Sequence, residues 1–241
     1  IAMIGQYAEN VYFGKPCGLM DQMACSVGSL CHIDFADPDD PKIEKIELDM
    51  DTYGYSLCIT DTKGSHADLT PDYAAVPAEM KEVAALFDKD VLIEIDEASV
   101  LEQIPAIREK LGDRAAMRAP HFYEECKRVR NESEALKNGD FDTFLKNVKS
   151  SGDSSFKYLQ NVYTNRDIEH QNVSVALCIS DMILGEENGV ARVHGGGFAG
   201  TIQAFVQNNK IDEYKKALDD VFGEGSCAVL KIRKYGGIKV L

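Results

Sequence analysis

The chain has 241 residues, of which 44% are hydrophobic and 27% charged, and its formal net charge is −14. That balance belongs to a folded chain able to bury a sizeable core, and excludes intrinsic disorder. The acidity also argues against nucleic acid as a partner, since its phosphates demand a basic footprint. No apolar run approaches the ~18 residues of a membrane helix, and the opening Ile1–Gln6 lacks the basic start of a signal peptide, so no membrane association is expected. Seven cysteines (17, 25, 31, 58, 126, 178 and 227) are scattered without a C-x-x-C pair, which favours reduced thiols and a cytoplasmic setting over a disulfide or zinc framework.

In chain order, residues 1–10 read as the end of a helix. Leu30–Phe35 and Ile46–Met50 read as two strands, the second from the alternation of Ile46, Leu48 and Met50, with turn chemistry at Asp37-Pro38-Asp39-Asp40-Pro41 between them. A second unit begins near Tyr55, where Tyr55–Asp61 reads as a buried strand. Val76, Met80, Val83, Ala84 and Phe87 then trace one face of a helix. The helical middle of the chain follows, with Phe122, Cys126, Val129 and Leu136 sharing a face and Val173–Leu184 almost wholly apolar. Strands are expected at Val190–His194 and Ile202–Val206, separated by glycines. Ile211, Tyr214, Leu218, Val221 and Phe222 mark another amphipathic helix, and Cys227–Arg233 a last strand. With the helical middle set aside, the order from Tyr55 is β-α-β-β-α-β. This predicts an α+β fold with a ferredoxin-like, split βαβ sheet, helices over one face, and the helical middle as an insertion.

Three segments have the composition of a site. The first, Glu9 to Met23, contains Gly14, Pro16 and Gly18, with Gly18 able to admit close backbone approach, and Asp21 between Met20 and Met23. By itself Asp21 reads as a helix cap or a solvated loop residue, and Glu9 as a surface carboxylate. The second is Gly195-Gly196-Gly197-Phe198-Ala199-Gly200-Thr201, between two strands. A tight turn needs one or two glycines, so the surplus points either to close packing or to an anion held by backbone amides; the spacing matches neither a P-loop nor a dinucleotide fingerprint. The third is His66 to Tyr73, in which Thr70 or Asp72 is placed to cap the next helix.

Together these segments resemble a known family. Ala8-Glu9-Asn10, Gly14 and Cys17-Gly18-Leu19-Met20-Asp21-Gln22 are similar to the galactokinase segment A-E-(H/N)…G…C-G-I-M-D-Q. Val193-His194-Gly195-Gly196-Gly197-Phe198-Ala199-Gly200-Thr201 looks like the third signature of the GHMP kinase superfamily. Thr60-Asp61, Ser65-His66 and Tyr73 resemble the family's strand–R-H-x-L–Tyr stretch, and Gly236-Gly237-Ile238-Lys239-Val240 its ending. Order and spacing agree over essentially the whole chain.

The resemblance implies the C-terminal domain of a GHMP kinase over residues 51–241, and a remnant of the N-terminal kinase domain (helix, aspartate loop and hairpin) over 1–50. It implies ATP-dependent phosphorylation of α-D-galactose to galactose 1-phosphate, with ATP and Mg2+ as cofactors. By the same resemblance Asp21 is the catalytic proton acceptor, Gly18, Asp21 and Tyr73 hold the sugar, Glu9 binds the metal, and Gly195, Gly196 and Gly197 back the nucleotide phosphates. Galactokinases also carry an E-H-T-D signature and a G-L-S-S-S-A phosphate loop ahead of the A-E-N segment. This sequence has neither, so the missing N-terminal half is expected to be needed to complete the site and the chain alone to be inactive. His194 and Ala199 stand where the family often has Thr and Gly, Ser150–Ser155 matches its S-H-x-S-L segment loosely, and Asn161–Asp167 lacks its usual V-S-x-P-E-L-D. A kinase for another hexose such as N-acetylgalactosamine, and a galactose- and ATP-binding sensor, therefore remain alternatives.

Overall fold

Alternating burial along four short segments builds the centre of the molecule. The computed structural model describes residues 1–14, 17–37, 40–65 and 69–238. Strands β3 (Tyr55–Asp61), β4 (Gly189–Val193), β5 (Thr201–Gln207) and β6 (Cys227–Leu230) form an antiparallel sheet in the order β4-β5-β3-β6, after a separate hairpin of β1 (Leu30–Asp34) and β2 (Lys42–Ile46). Tyr55 is opposite Gln207 and Asp61 opposite Thr201, while Leu57 faces Leu230 and Val193 faces Ile202. Each βαβ unit is thus split by a strand of the other, as the sequence predicts.

On one face, Cys58, Ala191, Val193, Ile202, Ala204 and Val206 pack against helices α8 (Asn172–Leu184) and α9 (Ile211–Phe222). The expectation of helices on one face is incomplete. Tyr55, Leu57, Val190 and Phe205 point the other way, as the period of two in a strand requires, and their apolar surface must also be covered. Phe141, Phe144, Leu145 and Val148 of α7 (Phe141–Ser154) cover it, together with Met50.

The rest of the helical middle forms a cluster of its own. Helices α3 (Thr70–Ala85), α4 (Glu97–Glu102), α5 (Ile104–Leu111) and α6 (Asp113–Lys137) bury Val83, Ala84, Val100, Ile107, Ala115 and Ala119 together. The predicted stripe of α3 holds for Met80, Val83, Ala84 and Phe87, whereas Val76 packs beside Phe198. The predicted apolar face of α6 holds in part: Phe122 and Leu136 pack on the two cores, but Val129 is exposed, and the helix also buries Arg118, His121, Arg128 and Ser133.

Residues 1–50 bring α1 (Ala2–Tyr7), a π-helical turn at Ala8–Tyr12, and α2 (Met20–Val27), with Ala2, Leu19, Met23 and Ile33 in a small cluster. The hairpin is present, but its second strand is Lys42–Ile46 rather than Ile46–Met50. Asp49 accepts the N–H of Asp51 and caps a short 3-10 turn, so Leu48 and Met50 reach the core from outside any strand. Strand β6 also stops early. Beyond Leu230 the chain leaves the sheet, and the Arg233 carbonyl accepts the N–H of Ser29. The Gly237 N–H reaches the Ser26 carbonyl at 3.0 Å, in a contact so close that a Cβ on Gly236 would lie 2.1 Å from the Ser26 carbonyl oxygen. Pro16, Pro38, Asp39, His66 and Lys239-Val240, used in the sequence reading, lie outside the described residues.

Candidate functional site

The glycine turn between β4 and β5 is shaped by its neighbours. Gly197 has φ +83°, and a Cβ there would lie 1.9 Å from the Asn161 carbonyl oxygen. A Cβ on Gly196 would lie 2.9 Å from the Tyr73 ring, while Gly195, at φ +71°, has open space around it. Only glycine satisfies both the backbone conformation and the approach at Gly197. The Tyr73 hydroxyl donates to the Gly197 carbonyl at 2.8 Å, and its ring stands edge-on to Phe198. Burial pushes the Tyr73 phenol up, keeping it a donor at neutral pH. Asn161 Nδ2 donates to the Gly196 carbonyl at 3.2 Å, and the Thr62 N–H and hydroxyl both donate to the Gly200 carbonyl at 2.8 Å. The surplus of glycine therefore reflects packing on two sides. Gly195 and Gly196 remain exposed at its tip.

Asp21 lies in the first turn of α2 and is exposed. A carboxylate there is favoured by the unpaired N–H groups of the helix start. The loop ahead of it is tied back to the preceding helical turn. The Cys17 N–H donates to Asn10 Oδ1 at 2.8 Å, and Gln6 donates to the Cys17 carbonyl at 3.2 Å. Glu9 Oε2 accepts from Gln22 at 2.8 Å and from the Cys17 thiol at 2.9 Å, so Glu9 is joined to the residue beside Asp21. A Cβ on Gly18 would meet nothing within 4 Å, so packing within the chain does not require glycine there.

His194 follows β4 and opens the glycine turn. Its N–H donates to the Thr201 carbonyl at 3.0 Å and its ring Nδ1 lies 3.1 Å from the Thr201 hydroxyl. Burial, and then Arg192, push the His194 imidazole down, while Asp21 is near enough to push it back up. Tyr73 and the glycine turn are thus in direct contact, and Glu9 is joined to Gln22, the neighbour of Asp21. Asn161 and Thr62 are parts of this site that the sequence did not reveal, because no local signal ties either to residues tens of positions away. Asp72 does not cap α3. Its carboxylate accepts from Thr164 at 3.3 Å and Arg166 at 3.1 Å, and the helix begins at Leu69-Thr70-Pro71 without a side-chain cap.

Among the described residues no three His, Cys, Asp or Glu side chains gather as a ready-made metal site, and none of the seven cysteines is in a disulfide. Glu9 could serve as a single oxygen ligand to a magnesium ion whose other ligands come from phosphates and water, the usual manner of that ion. Clefts of 420 and 370 Å³ lie elsewhere, the first beside α7 and β4 and the second beside α6 and α7. Neither includes Asp21, Tyr73 or the glycine turn. No described helix is long and apolar enough to cross a membrane.

Comparison with models of known protein families finds no match. Comparison with curated proteins finds a galactokinase of Haemophilus influenzae (strain PittGG), 28% identical over 220 residues, covering 91% of this chain and 54% of the relative. A Streptomyces coelicolor galactokinase is 29% identical over 224 residues, covering 92% of this chain and again 54% of the relative. Among solved structures, Lactococcus lactis galactokinase complexed with galactose superposes with a TM-score of 0.71 at 22% identity, covering 99% of this chain and 60% of that one. L. major mevalonate kinase in complex with R-mevalonate gives a TM-score of 0.55 at 13% identity, covering 98% of this chain and 58% of that one. The chain spans about half the length of the curated relatives it matches. In sequence it is similar to galactokinases over nine-tenths of its length, and its fold is that of galactokinase and, more widely, of the GHMP kinases.

Proposed function

We propose that this chain is part of a cytoplasmic galactokinase, transferring the γ-phosphoryl group of ATP to the C1 hydroxyl of α-D-galactose with Mg2+ as cofactor. What supports the reading is that Asp21, Glu9, Tyr73 and the glycine turn fall in the segments that resemble galactokinase motifs, in a chain similar to galactokinases over nine-tenths of its length. In phosphoryl transfer the protein positions a nucleophile and stabilises charge, with little covalent work of its own. Asp21 accepts the sugar hydroxyl's proton as that oxygen attacks phosphorus, a task for a carboxylate within hydrogen-bond reach. The sugar rests between Gly18, where there is room for a close approach, and Tyr73, whose hydroxyl would have to share or exchange its bond to Gly197. The tip at Gly195 and Gly196, with Gly197 behind it, backs the nucleotide phosphates. Glu9 holds the metal, which when bound neutralises phosphate charge.

In this reading residues 1–50 belong to the N-terminal kinase domain and 51–241 form the C-terminal domain, and the remaining length found in the relatives completes the sugar and phosphate contacts. Hexose-dependent ADP formation with Mg-ATP is the test. The 241-residue chain is expected to give none. A longer protein containing it should turn over galactose, and Asp21→Ala should reduce that rate by at least ~100-fold. Turnover of N-acetylgalactosamine in preference to galactose would replace the substrate, and galactose binding without turnover in the longer protein would overturn the enzyme reading.

A further inference from the structure

The polar seam that α6 buries has its deepest member at Arg118. This residue is 1% exposed and is the largest fully buried side chain among the described residues. Its Nη1 donates to Glu79 Oε2 at 2.8 Å, and its Nε donates to the Leu159 carbonyl at 2.9 Å. Glu79, on α3, also accepts from Arg114 Nε at 2.8 Å, so one carboxylate serves two guanidinium groups. A buried ion pair stabilises little by itself, because desolvation cancels most of the attraction, and an apolar side chain of similar size would fill the space at lower cost. What Arg118 supplies that an apolar side chain cannot is a directed donor, and that donor points at a single backbone carbonyl.

Leu159 ends a π-helical turn over Ser155–Leu159, and Gln160 after it is left-handed, at φ +55°. A non-glycine residue in that region is strained and persists only where its surroundings hold it. The reversal at Gln160 presents Asn161 to the glycine turn. Asn161 is 4% exposed; its carbonyl accepts the N–H of Phe198, and its Nδ2 donates to the Gly196 carbonyl at 3.2 Å. Phe198 is itself left-handed, at φ +57°. Two strained residues of different loops thus meet through Asn161, and Arg118 is bonded to the chain two residues ahead of it. Tyr73, on the same helix as Glu79, holds Gly197 independently through its hydroxyl.

We propose that Arg118 is a positioning residue of the candidate site. By fixing the Leu159 carbonyl it holds Asn161 against Gly196 and Phe198, and so sets the place of the loop that backs the nucleotide phosphates. The link to phosphates rests on the kinase reading above, and the rest on the fold alone. Arg118 acts through Leu159 and Asn161 rather than on a ligand.

The test is Arg118→Met, which removes the donor and its charge together while Glu79 keeps Arg114 as a partner. In the 241-residue chain, hydrogen exchange at the Phe198 amide should quicken at least ~10-fold. The amides of β3 and β5 and the midpoint of urea unfolding should change little. In the longer protein, the KM for Mg-ATP should rise at least ~10-fold, with the KM for galactose within ~2-fold of its starting value. A merely structural role would instead lower kcat with the folded fraction and leave both KM values in place. Asn161→Ala, which cuts the next link at Gly196, should give the same pattern with smaller amplitude, and it decides should the Arg118 variant not fold. Unchanged exchange at Phe198, faster exchange spread equally over the sheet, or an unmoved KM for Mg-ATP in a longer protein that turns over would each overturn the proposal. A wild-type longer protein without turnover would sink the kinase reading alone, and exchange at Phe198 would still decide for or against Arg118.

Discussion

The two parts of the molecule that meet at the candidate site are built in opposite ways. The sheet and its helical insertion close around cores in which Val83, Val100, Ile107, Ile202 and Val206 have no exposed surface. In the first 13 residues, by contrast, Ile1, Tyr12 and Phe13 are each more than 80% exposed, and Met3, Ile4, Tyr7 and Val11 are exposed as well. The glycine turn is therefore held by its own chain, through Tyr73, Asn161 and Thr62. The Asp21 segment instead rests on a three-residue cluster and a few polar ties, those from Glu9, Asn10 and Gln6. One half of the candidate site is rigidly specified by the chain itself, and the other leaves a large apolar surface without a packing partner.

That contrast can be broken or sharpened by measurement. The largest effect is expected from Gly197→Ala, which combines a positive φ with a Cβ 1.9 Å from the Asn161 carbonyl oxygen. A loss of about 3–5 kcal/mol in urea unfolding is expected, since backbone strain and a clash with backbone add together. Gly236→Ala strikes the contact between the two parts. It should cost about 2–3 kcal/mol, and hydrogen exchange should show the loss in residues 20–46 while the sheet amides stay protected; equal loss in both would mean that the parts unfold as one.

The insertion's polar seam gives a smaller, pH-dependent effect. Burial raises Glu132 to about 7 from an ordinary 4.5, so between those values the folded chain holds a proton that the unfolded chain has released. Stability from this group therefore falls as pH rises through that window and is lowest above pH 7. Glu132→Gln should raise stability at pH 8 by on the order of 1–2 kcal/mol and leave it unchanged near pH 4. His121 acts in the opposite sense. Burial lowers it to about 4 from 6.5, so stability from this group falls as pH drops from 6.5 to 4. The smallest effect is expected for Tyr73→Phe, which removes the bond to the Gly197 carbonyl and should cost about 1 kcal/mol by thermal unfolding.

The sheet was readable because strand alternation is local: Tyr55–Asp61 and the pair flanking the glycines lie where the pattern puts them. Alternation misled at Ile46, Leu48 and Met50, because Asp49 turns the chain to cap a 3-10 turn and core-facing side chains do not by themselves make a strand. Part of the α6 face was missed for a related reason. Binary patterning looks for buried leucines, and this helix also buries Arg118 and His121, whose partners come from other elements, and Arg128, which pairs with Glu125 one turn before it. For the candidate site, Asp21, Glu9, Tyr73 and the glycines are proposed through motif resemblance. Asn161 is not among them, since its part depends on a carbonyl meeting Gly197 across 36 positions of chain, and nothing in the residues around it announces that approach.

The register of the sheet sets the order in which the molecule can be assembled. Strand β3 lies between β5 and β6, with Asp61 opposite Thr201 and Thr60 opposite Cys227. Both of its neighbours are thus encoded after the whole helical insertion. During synthesis β3 emerges ahead of the insertion and must wait, with both edges open, until the β5 and β6 segments have left the ribosome. Closing so long a loop is entropically slow, and an open apolar strand is an invitation to other chains. The five-helix insertion can meanwhile form from contacts near in sequence. The middle strand of the sheet is the first of its four to be made, and it is fully paired only when the last is in place.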